Sequence, residues 1–148
     1  MRNACLSVLF SLLVVIISGY SQKNITWGEL SEVQWEEIYD SLAGVTLLEG
    51  SFSPHILALD SQEVYISGYV IPLDAMGFSY ALSRTSFASC FFCGQAGPET
   101  VMELRVRPNS IEPRRQKNTL IKFKGLLRVN GQNDTGLHYE LQKAEEVR

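Results

Sequence analysis

The chain has 148 residues, with 13 Lys and Arg against 16 Asp and Glu and a formal net charge of −3 at pH 7. This acidic balance disfavours a nucleic-acid partner, because proteins that bind phosphate backbones normally present a basic face. The length is sufficient for one domain with one hydrophobic core and too short for two.

The first 21 residues have the pattern of a secretory signal peptide. Arg2 supplies the positive charge, residues 4–19 are almost wholly apolar, and small residues precede Gln22. A retained anchor is the alternative, but the apolar run is short for a membrane span. We therefore expect cleavage before Gln22 and an exported mature domain, residues 22–148, in the periplasm or cell envelope with no stable membrane span. Loss of Arg2 leaves 12 Lys and Arg against 16 acids, a net charge near −4.

The first predicted element of the mature chain is a short helix. Thr26 and Glu29 have the spacing of a capping box, in which each residue satisfies a backbone N–H group near the other. Loosely spaced apolar residues then predict a helix that continues to about Tyr39. Residues 44–54 mix apolar residues with glycine, serine and proline, and we predict an irregular segment there.

Beyond residue 60 the pattern favours β-strands. Five segments alternate apolar and polar residues or are rich in β-branched and aromatic side chains, and they comprise residues 64–71, 78–83, 101–107, 120–129 and 137–141. Gly68 and Gly125 lie inside two of them, where a glycine allows a bulge or a sharp bend. We predict a mainly β fold: a small five-stranded OB-like antiparallel barrel, with the helix over one opening.

The segment Cys90-Phe91-Phe92-Cys93-Gly94 is the clearest candidate site. It lies between two predicted strands, on a loop, where binding groups concentrate. The third cysteine, Cys5, belongs to the leader. A pair of thiols with this spacing can bind a metal ion, form a structural disulfide or act in thiol–disulfide exchange. The spacing alone leaves these three possibilities open, although the βαβ context of thioredoxin-like proteins is missing.

A metal site is the first of these hypotheses. Zinc usually takes four ligands, so Cys90 and Cys93 need further donors, and the candidates are Glu99, His55, His138, Glu103 and Asp74. Copper(I) could be held by the two thiolates, with Met76 or Met102 nearby. We expect His138 to be solvent-exposed, because it lies next to Tyr139 on a predicted strand and therefore on the opposite face.

Three segments of the mature chain resemble an uncharacterised family of exported bacterial proteins, best known from Bacteroidetes. They are residues 68–73, residues 90–99 with the signature C-F-F-C-G-x-A-G-P-E, and residues 123–130, and the resemblance extends over nearly the whole mature chain. It implies a periplasmic or lipid-anchored protein that accompanies transport components. It also implies a site formed by Cys90, Cys93, Gly94, Gly97, Pro98 and Glu99.

Together these observations predict an exported binding or accessory protein rather than an enzyme. Its cofactor would be zinc or copper, bound through Cys90 and Cys93, and its partners would be envelope proteins, including a transporter. A periplasmic thiol–disulfide redox protein that uses the same pair is one alternative. A structural or interaction module with the pair as a disulfide is the other.

Overall fold

The computed structural model of this protein describes residues 23–74, 79–86, 96–106, 119–130 and 137–147. No helix within these ranges is long and apolar enough to cross a membrane. The elements in chain order are β1 (Lys23–Asn24), α1 (Trp27–Leu30), β2 (Val33–Asp40), β3 (Val45–Phe52), α2 (Pro54–Leu57), β4 (Glu63–Pro72), β5 (Tyr80–Ser83), a 3₁₀ turn (Pro98–Thr100), β6 (Val101–Val106), β7 (Leu120–Val129) and β8 (Tyr139–Glu146).

Five strands close into a barrel, which confirms the predicted mainly β, OB-like fold. The strand order is β4–β5–β6–β8–β7, and β7 pairs again with β4. Four of these pairings are antiparallel and the pairing of β6 with β8 is parallel, so the barrel is mixed rather than wholly antiparallel. Closure leaves the barrel without a free sheet edge.

The long strand β4 makes this closure possible. Its residues from Glu63 to Tyr69 pair with β7, and those from Tyr69 to Pro72 pair with β5. The ladder with β7 runs through Gly68 without a register shift. The shift lies instead in the β7–β8 ladder, between Lys124 and Leu126, at the second of the two predicted glycine positions.

The barrel interior follows the alternation read from the sequence. Alternate side chains of β6, β7 and β8 point inward and are almost fully buried, and they include Met102, Leu104, Ile121, Phe123, Leu127, Tyr139 and Leu141. A smaller buried cluster of Ile71, Ala81 and Val101 uses the opposite side of β4, β5 and β6. Burial of these side chains is the main stabilising contribution to the barrel.

The prediction for residues 30–54 was wrong. The helix ends at Leu30, and β2 and β3 form a two-stranded antiparallel hairpin in which Val33 is opposite Phe52 and Asp40 is opposite Val45. In the described residues these two strands pair with each other and with no strand of the barrel. The spacing of the apolar residues suggested a helix. It carries no information on β3, and pairing with β3 is what makes residues 33–40 a strand.

The predicted capping box of α1 is confirmed. Glu29 N–H donates to the Thr26 hydroxyl at 3.2 Å, and Thr26 N–H donates to the Glu29 carboxylate at 2.6 Å. The Thr26 hydroxyl also donates to that carboxylate, and this bond is the main cause of the lowered pKa of Glu29. Trp27 Nε1 donates to the Ser67 carbonyl at 2.8 Å, which ties the short helix to β4 of the barrel.

Candidate functional site

Cys90 and Cys93 belong to residues 87–95, which lie outside the described residues. The described chain resumes at Ala96 and enters the 3₁₀ turn Pro98–Thr100 directly, before β6 begins at Val101. The described part of the candidate site consists of the residues that follow the cysteines, from Ala96 onward, and the side chains that contact those residues.

The 3₁₀ turn places the carboxylate of Glu99 next to Gly97. The Thr100 N–H and hydroxyl groups both donate to the Gly97 carbonyl, at 3.1 and 2.7 Å. A Cβ atom at Gly97 would lie only 2.3 and 2.5 Å from the two carboxylate oxygens of Glu99. A side chain at position 97 would therefore displace the carboxylate of Glu99, which is the end of a flexible side chain.

Trp35 on the hairpin binds this carboxylate. Its indole Nε1 donates to Glu99 Oε2 at 3.0 Å. On the paired strand Gly50 is directly opposite Trp35, and a Cβ atom at Gly50 would lie 2.6 Å from the indole ring. The small residue on β3 leaves room for the ring, and the edge of Phe52 packs against it with a centroid distance of 6.1 Å.

His138 lies on the ring of the same tryptophan. The imidazole and indole centroids are 4.5 Å apart, and His138 is only 6% exposed. The expectation that His138 is exposed was therefore wrong. Strand β8 begins at Tyr139, so the alternation rule does not apply to His138, and Trp35 lies against its ring.

The hydrogen bond of His138 defines which nitrogen carries the proton. Its Nδ1 lies 3.2 Å from the Asn130 carbonyl oxygen. A carbonyl oxygen only accepts, so Nδ1 is the donor, and in neutral imidazole the lone pair is then on Nε2. No described residue forms a hydrogen bond with Nε2. Trp35, Glu99 and His138, named here the indole cluster, thus combine a carboxylate and an imidazole nitrogen at one end of the barrel.

Tyr139 is the buried residue next to the indole cluster. Its hydroxyl donates to the Leu30 carbonyl at 2.7 Å, and its ring meets Phe52 edge to face at 5.5 Å. Burial, and to a smaller extent the negative charge of Glu99, raise the pKa of Tyr139 far above its usual range. The phenol therefore stays neutral, and it links α1, the hairpin and β8.

The other candidate ligands are not part of this cluster. His55 pairs with Glu29 at 3.6 Å, Glu103 pairs with Arg105 at 3.1 Å, and Met102 is fully buried in the barrel core. Asp74 follows the end of β4, and Met76 lies outside the described residues. Within the described ranges no group of three or more His, Cys, Asp and Glu side chains is arranged to hold a metal ion.

Trp35 is the site residue that the sequence analysis missed. The prediction of a helix over Val33 and its neighbours hid the two-residue alternation of Val33, Trp35, Glu37 and Tyr39. That alternation, with Gly50 in a second β-like run, is the signal that could have identified the hairpin and its inward-facing indole.

Fold and site together define a small OB-like β-barrel protein with an attached hairpin and a carboxylate–indole–imidazole cluster at the junction. No protein-family model and no curated protein matches the sequence. Among solved structures the chain is similar to a DUF3299 family protein from Pseudomonas aeruginosa PAO1, with a TM-score of 0.53 and 13% sequence identity. The alignment covers 86% of this chain and 97% of that chain. At this identity the likeness shows the fold alone.

Proposed function

We propose that this protein is an exported accessory protein that binds zinc or copper through Cys90, Cys93 and His138. The observation that carries the proposal is the state of His138, whose Nδ1 donates to the Asn130 carbonyl while Nε2 keeps its lone pair. Histidines that ligate metals typically donate their other ring N–H to a carbonyl or carboxylate in this way. Burial of the ring also restricts it to one orientation.

The position of the cysteines in the sequence is consistent with this donor set. Ala96 is the third residue after Cys93, and three residue steps span at most about 11 Å. Glu99 follows shortly after, and its Oε1 accepts no hydrogen bond from a described residue. Two thiolates, one imidazole and one carboxylate make a four-donor set of the kind that zinc takes. Two thiolates and an imidazole also suit copper(I).

Trp35 would act as a positioning residue rather than as a ligand. Its indole N–H holds Oε2 of Glu99, and its ring packs on His138. Both donors therefore depend on one side chain that belongs to the hairpin. An accessory role in the envelope, in support of a transport system, agrees with the predicted signal peptide and with the resemblance to exported proteins.

The test is metal content and free-thiol count on mature protein purified anaerobically without chelator. We expect close to one equivalent of zinc or copper and two thiols that become reactive only after the metal is removed. Absence of metal together with a disulfide would contradict the proposal. The reduction potential would then separate a redox-active pair from a structural one.

Two histidine variants provide a matched comparison. We predict that His138→Gln weakens metal binding at least about tenfold, since it removes a ligand and not merely its orientation. His55→Gln is the control, because His55 is about half exposed and pairs with Glu29 instead. Competition with a chromophoric chelator measures both affinities. Equal affinity of the two variants would remove His138 from the proposed site.

A further inference from the structure

The turn end of the hairpin is an exposed apolar surface. Large hydrophobic side chains of residues 38–48, named here the hairpin tip, are exposed to solvent, and they are Ile38, Tyr39, Leu42, Val45 and Leu48. Leu42 is 98% exposed and Tyr39 is 65% exposed. Isolated exposed apolar residues are common on protein surfaces, but five at the end of one hairpin indicate an interaction site.

The tip is held in a defined conformation. The carboxylate of Asp40 accepts hydrogen bonds from the N–H groups of Leu42 and Ala43, at 2.8 and 3.1 Å. The Gly44 N–H donates to the Asp40 carbonyl at 2.8 Å, and Gly44 has a φ of 69°. The turn therefore presents Leu42 outward as part of an ordered structure.

Exposed side chains of the tip lie on both of its faces. Tyr39 and Leu48 lie on the face that carries Trp35, and Ile38 and Val45 lie on the other face. The base of the hairpin behaves differently, since Trp35 and Phe52 contact His138 and Tyr139. A rigid base and an uncovered apolar end are the arrangement expected of a docking element.

The hairpin and the segments on either side of it in the sequence carry acidic residues and no Lys or Arg. From Asn24 to Ser83 the sequence has nine Asp and Glu residues and no Lys or Arg. Glu36 and Glu37 directly precede the tip and are exposed, and neither forms an ion pair with a described residue. An apolar centre with an acidic margin is complementary to an apolar surface flanked by lysine or arginine.

We propose that the hairpin tip is the docking surface for a protein segment that carries apolar side chains flanked by Lys or Arg. The charge disfavours the other occupants. Two tips in contact would bring Glu36, Glu37 and Asp40 of each copy together without a compensating cation. An anionic lipid surface would repel the same carboxylates. This docking surface is distinct from the indole cluster and does not depend on metal binding.

The experiment is selection from a phage-displayed library of random short peptides on mature protein at physiological salt, with Leu42→Ser protein as the counter-selection. Leu42 is almost fully exposed, so its replacement leaves the fold intact, which circular dichroism verifies. We expect enriched peptides that combine apolar residues with Lys or Arg. A synthetic peptide of the consensus should lose affinity at least about tenfold with the Tyr39→Ser, Leu42→Ser variant. Leu120→Ser, at an exposed leucine on β7, is the control and should bind as the wild type does.

Several results would overturn the proposal. One such result is that no selected peptide distinguishes wild-type protein from Leu42→Ser protein. Another is a consensus peptide that is acidic, or that is apolar and contains no Lys or Arg. A dimer in sedimentation that Leu42→Ser dissociates would assign the tip to a second copy. Leu42-dependent binding to vesicles of phosphatidylglycerol and phosphatidylethanolamine would assign it to lipid.

Discussion

The barrel and the hairpin use the same kind of strand pairing but obtain their stability differently. Each barrel strand has at least two neighbours and contributes side chains to one apolar core. Among the described strands each hairpin strand pairs only with the other, and an isolated two-stranded hairpin is at most marginally stable in water. The hairpin depends on Trp35 and Phe52, which contact His138 and Tyr139. The comparison indicates that the hairpin base is part of the domain and that its tip is free for another role.

The largest expected effect is in the barrel core. Phe123 is fully buried on β7, so Phe123→Ala should lower the free energy of unfolding by about 3–5 kcal/mol through lost burial and a residual cavity. Urea denaturation followed by circular dichroism measures the change. Leu42→Ser on the hairpin tip is the contrast and should change it by less than about 0.5 kcal/mol. Similar decreases for both variants would contradict the distinction between a stabilising barrel core and a hairpin tip that contributes little to stability.

The next largest effect is expected at Trp35, which joins the hairpin to the barrel. Trp35→Ala removes the indole that joins β2 to Glu99 and His138. We expect it to lower the free energy of unfolding by about 2 kcal/mol. Amide hydrogen exchange should become faster in β2 and β3 while the amides of β7 keep their protection. Trp35→Phe keeps an aromatic ring but lacks the N–H donor, and it should lower the free energy of unfolding by less than Trp35→Ala does. Uniformly faster exchange would mean that the hairpin and the barrel unfold as one unit.

Tyr139 tests the junction and carries a pH dependence. Tyr139→Phe leaves the Leu30 carbonyl without its donor, and we expect a loss of about 1–2 kcal/mol at pH 7. The folded pKa of Tyr139 is raised, so only the unfolded state ionises above the usual tyrosine pKa of about 10. Above that pH the ionisation of Tyr139 in the unfolded state lowers the free energy of unfolding of the wild-type protein by about 1.4 kcal/mol per pH unit, and Tyr139→Phe lacks this contribution. Urea denaturation at pH 7 and above pH 10 should therefore give a smaller difference in free energy of unfolding at the higher pH. A difference that does not change with pH would contradict a buried, neutral Tyr139.

The smallest effect concerns α1, which connects β1 to the hairpin. Glu29→Ala removes the carboxylate of the capping box, at an expected cost of about 0.5–1 kcal/mol at neutral pH. The pKa of Glu29 is lowered in the folded state, so this stabilisation is present above the usual pKa of 4.5 and disappears as the pH falls through the folded value. Glu29→Gln should retain most of the effect at neutral pH. Denaturation at pH 7 and at pH 3 measures both variants.

Part of the candidate site was predictable from the sequence. Glu99 and His138 were identified as candidate ligands, and the structure brings both to the indole of Trp35. His55 was named with equal weight, yet it pairs with Glu29. Nothing in the spacing distinguishes the two histidines, because their environments are formed by residues distant in sequence. The role of Cys90 and Cys93 stays a prediction.

By itself the sequence determined the features that depend on neighbours along the chain. The capping box of Thr26 and Glu29 and the alternation of β6 and β7 are local, since both arise from backbone geometry over a few residues. The tertiary structure alone decided that residues 33–52 form a hairpin, that β6 and β8 pair in parallel, and that His138 is buried. Each of these depends on contacts between segments far apart in sequence, where packing overrides local propensity.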